Sequence, residues 1–335
     1  MEQLLREIVE QAARAPSVHN TQPWRFVARG NTLELWTDPS RGLQVLDPTG
    51  RARHLSCGAA LLHARVAAAR AGYVADVTLL PDPNQADHLA DLRLTAARPE
   101  PPDTSDIELA EAIAARRTTR AAFTPEPLSD EVVALLRQAA ETEDCWLRVI
   151  DDAEDAAAIT VVMARADELE SADPAYREEL RRWTGAGDDA TEGIPVSAVP
   201  DVPPSRRGSN YRLRDFVADR EEESGAPVAA AVDPPAAERP LVAVLGTSDD
   251  DVAAWLAAGQ GLGRLLLVAA ARGVAASPMT QPLEIPDTRR RLAVELGLVG
   301  HPQMILRLGF ADADAGGPAV TPRRPVADIL TEEGS

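Results

Sequence analysis

Two short segments concentrate the groups able to hold a polar ligand. Between Pro16 and Pro23 the chain sets a hydroxyl (Ser17), an imidazole (His19) and two carboxamides (Asn20, Gln22) within six residues. A loop of donors and acceptors fixed between rigid elements is where proteins display binding groups. The second segment, Arg116-Arg117-Thr118-Thr119-Arg120, offers three guanidinium groups and two hydroxyls. Arginine's planar fork of donors matches the oxygens of a phosphate. Each segment also has a plainer reading: a helix–turn–strand connection for the first, and charge compensation at a helix C-terminus for the second. Two more candidates are weaker alone, the Pro turn Ala275-Ala276-Ser277-Pro278-Met279-Thr280-Gln281 and the tail Arg323-Arg324-Pro325-Val326.

Composition narrows the chemistry. All 34 basic residues are arginine, which excludes Schiff-base chemistry, a P-loop lysine and a Ser-x-x-Lys acyl enzyme. The net charge of −19 argues against nucleic acid as a partner, because neutralising phosphates takes a basic face. Against that background a local arginine cluster is a candidate anion site. The five histidines show no metal-ligand spacing, so no metal is expected. Cys57 and Cys145 are too few for a disulfide framework and fit a reducing, cytoplasmic setting. The first residues read as an amphipathic helix rather than a signal peptide, and no run of about 18 apolar residues points to a membrane span. Gly259-Gln260-Gly261-Leu262-Gly263 has the wrong spacing for a dinucleotide fingerprint and falls mid-helix, where small residues serve close helix packing. No pair of side chains forms a convincing acid–base dyad, so no catalytic residue is assigned.

These segments need elements to position them. The pattern predicts helix Glu2–Ala15, the Ser17–Gln22 loop, strand Trp24–Ala28, a turn at Gly30-Asn31, strand Thr32–Thr37, helix Arg51–Ala71 and a strand near Val74–Leu80. A Pro-rich joint at Pro99–Asp103 looks like a boundary. Beyond it come helices Ile107–Ala115 and Asp130–Ala140, strand Trp146–Ile150 and helix Asp152–Leu180. Thr184–Glu238 is irregular, long enough for a functional lid or an insert. Strand Leu241–Leu245 leads to a helix capped by Thr247, Ser248 or Asp249 that ends near Arg272, and strand Gln303–Gly309 follows. LLRQAAETEDCWLRVI set beside IVEQAARAPSVHNTQPWRFVA shows a faint repeat of helix, loop, Trp, strand, with the second loop shortened.

PSxxNxQPW, the RRTTR box, the SPMTQ turn and the terminal RRPV together resemble the cofactor-contacting boxes of the nitroreductase family, FMN-dependent oxidoreductases that normally work as intertwined dimers. The wording APSVHNTQPWRF, the length and the long insert most resemble its Acg-like branch. The resemblance implies an α+β, nitroreductase-like fold of two tandem half-domains forming an intramolecular pseudo-dimer, each a central mixed or antiparallel sheet flanked by helices. The halves would be 1–100, with the PSxxNxQPW loop, and 104–335, with the RRTTR box and a lid insert at about 182–238. It also implies that Arg116, Arg117 and Thr118 hold the FMN phosphate or ribityl chain, with Arg323 and Arg324 at the phosphate. Arg120 would lie by the flavin N1–O2 edge, where a fixed cation raises the reduction potential. Ser17, His19, Asn20 and Gln22 would contact the flavin from the loop, and the backbone around Ser277, Met279 and Thr280 would approach N5 and O4. The lid candidate, Arg182 to Arg220, includes Trp183, Arg206, Arg207, Tyr211, Arg214 and Phe216.

The expected function is hydride transfer from NAD(P)H through the flavin to a small oxidised substrate: a nitroaromatic, a quinone or a specialised metabolite. The loss of PSxxNxQP from the second copy implies one FMN per chain and a monomeric pseudo-dimer. The alternatives are a lidded protein that stores or sequesters FMN with little turnover, and a flavin-free structural pseudo-dimer.

Overall fold

The computed structural model describes residues 1–96, 104–120, 123–187, 190–198, 214, 238–311 and 321–332. Helix α1 (Glu2–Ala12) forms because Leu5, Ile8, Val9 and Ala12 recur at helical spacing, and all four are buried. It stops before the expected Ala15, since Arg14 and Ala15 tighten into i→i+3 bonds ahead of Pro16. Strands β1 (Trp24–Arg29) and β2 (Thr32–Thr37) form a hairpin across Gly30-Asn31, with Gly30 at φ 60°. Helix α2 (Arg51–Arg70) has fifteen of its twenty residues buried and runs through the centre of the molecule. Strands β3 (Tyr73–Leu79) and β4 (His88–Ala96) complete the antiparallel order β1-β2-β4-β3.

The rest of the chain builds the same arrangement again. Helices α3 (Thr104–Ala112) and α4 (Asp130–Glu141) precede β5 (Trp146–Ile150). Helices α5 (Ala153–Ala172) and α6 (Pro174–Trp183) and the short strands β6 (Thr184–Ala186) and β7 (Ile194–Pro195) come next. Then follow β8 (Leu241–Thr247), α7 (Val252–Ala271), β9 (Ala275–Met279), α8 (Gln281–Glu284), α9 (Pro286–Glu295) and β10 (His301–Gly309). Strands β5-β8-β10-β9 form an antiparallel sheet in the order of β1-β2-β4-β3, with α7 where α2 stands. The match extends to register: Trp24 opens β1 opposite Thr37 and Trp146 opens β5 opposite Gly246, each near the end of the partner strand. The final strand, β11 (Leu330–Glu332), returns to the first sheet and pairs parallel to β1, making that sheet mixed.

Helices α2 and α7 cross where Gly58 meets Gly259. A Cβ on either glycine would collide with the carbonyl oxygen of Leu256 or of Leu55 on the facing helix. Glycine there lets two backbones touch, which is the packing role expected of the Gly259–Gly263 run. By composition α7 could cross a membrane, with a mean hydropathy of 1.5 over 18 residues, contrary to the reading that no such run exists. Its apolar surface is spent instead on α2, α4 and the second sheet, with Leu256, Leu265 and Leu267 at 0% exposure.

Other boundaries moved for local reasons. The single helix expected over 152–180 divides at Asp173, whose carboxylate caps Ala175 N–H ahead of α6 with Pro174 in the first turn. The cap of α7 is Asp251, accepting from Ala254 N–H, rather than Thr247, Ser248 or Asp249. The SPM segment, expected as a turn, is strand β9.

Candidate anion site between the first loop and the arginine box

The Ser17–Gln22 loop is held in a costly shape. His19, Asn20 and Gln22 sit at φ 45°, 56° and 49°, a left-handed backbone that costs on the order of 1 kcal/mol or more per residue bearing a side chain. Its bonds explain how the shape persists. Ser17 Oγ accepts from Gln22 N–H at 3.0 Å. Asn20 Nδ2 donates to Gly193 O (3.0 Å) and Pro322 O (3.1 Å). Gln22 Nε2 donates to Thr191 O at 2.8 Å, and its Oε1 accepts from Arg324 N–H at 2.8 Å. The loop is thus tied to residues 191–193 and to the C-terminal tail.

The arginine box follows α3 and is pinned beside β9. Thr118 bridges Ala276, and Thr119 N–H donates to Ala276 O at 2.9 Å. Arg116 Nη2 donates to Arg14 O at 3.2 Å. Arg323 donates to that same carbonyl, to Ala15 O and to Asn20 Oδ1 at 3.2–3.3 Å. Loop, box and tail therefore converge on the end of α1.

Charge at this junction is unbalanced. A cavity of about 450 Å³ is lined by Arg14, Arg116, Arg117, Arg323 and Arg324 together with Thr118, and Glu10 is its one acid among the described residues. Arg116 is 6% exposed, and no carboxylate among the described residues is within ion-pair reach of it or of Arg323. The Nε of both is buried without an acceptor. Burial, then the neighbouring guanidinium groups, pushes Arg116 down to about 9 and Arg323 to about 10. Buried cations are ordinarily paired, so the missing counter-charge around Arg116 makes this junction a candidate anion site.

A second cluster adjoins the loop. Arg214 donates to His19 Nε2 at 2.6 Å, pairs with Glu284 and with Glu170 (3.4 Å), and lies 5.7 Å above the Tyr176 ring. Tyr176 OH donates to Glu170 Oε2 at 2.9 Å. Burial first, then Arg214, lowers His19 to about 3, so its ring is neutral and Nε2 can accept. Burial raises Glu170 above the usual carboxylate range, against the pull of Arg214. Burial also opposes ionisation of Glu284, but the Arg214 guanidinium outweighs it and lowers that carboxyl. Arg120 donates to Ala198 O at 3.4 Å and is near enough to lower His19 further.

Not every expected residue faces the junction. Ser277 is buried on β9, and the Met279 side chain packs in the core with Val242 and Ile305, so only backbone there is available to a ligand. Thr280 opens α8. Arg117 turns back onto Ala114 O and Arg116 O, and the Arg324 side chain onto Asp328 O. Trp183 ends α6 under the Arg41 guanidinium, 5.7 Å away, as an anchor for the loop below it. Arg206, Arg207, Tyr211 and Phe216 lie outside the described residues. Sequence reasoning missed Arg14 and Thr321, which line the cavity, and Glu170, Tyr176 and Glu284. Arg14 stands three residues before Ser17 and could have been included; the carboxylates come from remote helices.

The counterpart of the Ser17–Gln22 loop in the second sheet is Thr142–Cys145, between α4 and β5. There Glu143 is buried and accepts from Arg65 (2.6 Å) and Arg264 (2.7 Å), while Arg264 also pairs with Asp106 at 3.0 Å. Its charges are paired, where those of the first junction are not.

The model of the nitroreductase family matches residues 113–310. "Putative NAD(P)H nitroreductase Rv3131" of Mycobacterium tuberculosis is 36% identical over 327 residues, 97% of this chain and 90% of that protein. "Putative NAD(P)H nitroreductase acg" of the same species is 35% identical over 332 residues, 98% and 95% of the two chains. Among solved structures, the FMN-dependent nitroreductase NfnB from Mycobacterium smegmatis in complex with NADPH is 20% identical, covering 66% of this chain and 96% of that one at a TM-score of 0.39.

Proposed function

Because the chain belongs to the nitroreductase family, we propose that it is an FMN-dependent oxidoreductase that draws on NAD(P)H to reduce a small oxidised substrate, a nitroaromatic, a quinone or a specialised metabolite. The observation that carries this reading is the buried Arg116 beside the half-buried Arg323, each with a buried Nε lacking an acceptor and no carboxylate in reach among the described residues. A flavin phosphate fits that deficit in charge, in donor geometry and in the adjoining cavity. When bound, FMN supplies hydride transfer between nicotinamide and acceptor.

The chain's own residues then bind, orient and tune. Arg116, Thr118 and Arg323 would hold the phosphate and ribityl end, with Arg14, Arg117 and Thr321 beside them. Ser17, Asn20 and Gln22 fix the loop whose backbone and side chains edge the ring. Arg120 sets a positive charge near His19, a fixed field that favours added electron density and raises the reduction potential. The two sheets correspond to two fused nitroreductase halves, 1–100 and 104–335, and the Arg65–Glu143–Arg264 network fills the counterpart loop, so one flavin binds per chain.

One observation favours the storage alternative. Arg214, the one described residue between 199 and 237, is buried among His19, Glu170 and Glu284 beside the loop, where a covering residue would be expected. Anaerobic mixing of purified yellow protein with NADPH separates the two readings. Rapid bleaching of the flavin supports the enzyme. A flavin that stays oxidised in the intact chain, and reacts once 199–237 are deleted, supports storage.

A further inference from the structure

The first sheet carries a cluster that the proposed reaction leaves unused. Glu34 of β2 and Asp91 of β4 are direct register partners, and like charges directly opposed across strands repel unless a cation joins them. A β-bulge beyond Leu35 makes Trp36 face His88 rather than Leu89. Leu89 turns fully into the core, and His88 comes to the side of Asp91, with Nε2 2.8 Å from its Oδ1. Bulges that re-aim a side chain in this way are features of sites.

We propose that Glu34, His88 and Asp91 form a three-ligand site for a divalent transition-metal ion that clips β2 to β4. Their ligand atoms all lie within 4.8 Å of one another. One imidazole nitrogen with two carboxylates suits Zn²⁺ and its neighbours, with water in the remaining positions. Trp36 orients both buried ligands, as outer partners do at metal sites. Its ring stacks on His88 at 4.3 Å with planes 8° apart, and its Nε1 donates to Glu34 Oε2 at 2.9 Å. Glu34 is 9% and His88 7% exposed, while Asp91 stays open to solvent on one side. Arg29 now pairs with Glu34 Oε1 at 2.7 Å, but from a half-exposed side chain, a weak contact that a dication displaces. Spacing along the chain gives no sign of the site, because its ligands come from two separate strands.

The test is titration of chelator-treated full-length protein with Co²⁺, followed by the visible absorption of ligated cobalt, and then competition by Zn²⁺. The site predicts one saturable equivalent, binding at least about tenfold weaker in His88→Ala and Asp91→Asn, and tighter binding in Arg29→Ala. Circular dichroism checks that each variant is folded. No saturable uptake by the folded parent chain, or equal affinity in folded His88→Ala, overturns the proposal.

Discussion

Arg116 and Arg323 are the side chains whose surroundings most need something more. Each donates to backbone carbonyls on the α1 end, yet each keeps a buried Nε without an acceptor. Charge-assisted hydrogen bonds contribute about 1.5–3 kcal/mol each. Arg116→Ala and Arg323→Ala should therefore weaken FMN retention by roughly that amount, ten- to a hundredfold in Kd. Arg137→Ala, on the exposed face of α4, should leave it unchanged. Fluorescence titration of the flavin-free variants measures both, and wild-type affinity in both site variants would mean that the cradle has been misread. The loop and the box were legible in the sequence because each is contiguous, so residue type alone reveals a run of donors. Glu170, Tyr176 and Glu284 were not, since they lie on three separate helices and are brought together around Arg214 only by the fold. Met279 shows the converse: its motif was found, but strand alternation sends its side chain into the core.

At the scale of elements, the site exists because α2 and α7 cross closely enough to bring two sheets together. Gly58 and Gly259 make that crossing, and a side chain at either would have to displace facing backbone. Gly58→Leu should destabilise by about 1–3 kcal/mol or more and loosen the Ser17 loop with it, read as a fall in denaturation midpoint and in flavin content together. An unchanged midpoint would show that the helices separate freely. Long helices and the β1–β2 hairpin were readable because their signals are local: apolar spacing, Gly30-Asn31, and Gly273 after α7. Strand β4, helix α9 and strand β11 were missed. Leu330–Glu332 is too short for a pattern of its own and becomes a strand only because β1 offers an edge beside Ile329. The Asp173-Pro174 break was visible, but α5 and α6 read as continuous because both flanks favour helix.

For the molecule as a whole, the two sheets share strand order and helix placement, while only one loop–box junction has unpaired charge. Burial of titratable rings gives this architecture an acid-labile side. His19 and His63 are held near pKa 3, chiefly by desolvation. Below the ordinary value of 6.5 the unfolded chain takes up protons that the folded chain refuses, so unfolding free energy falls as pH drops from 6.5 toward 3. The slope is up to about 1.4 kcal/mol per pH unit for each ring. His63→Gln should remove one proton's share of that slope in urea melts, and an identical slope in the variant would refute the assignment.

The convergence of the Ser17–Gln22 loop with Arg116–Arg120 on a single flavin is tested most directly by counting. FMN titrated into flavin-free protein should saturate at one equivalent per chain, and Asn20→Ala and Arg116→Ala should each weaken that same binding event. Two equivalents per chain, or a single site indifferent to both substitutions, would contradict the account.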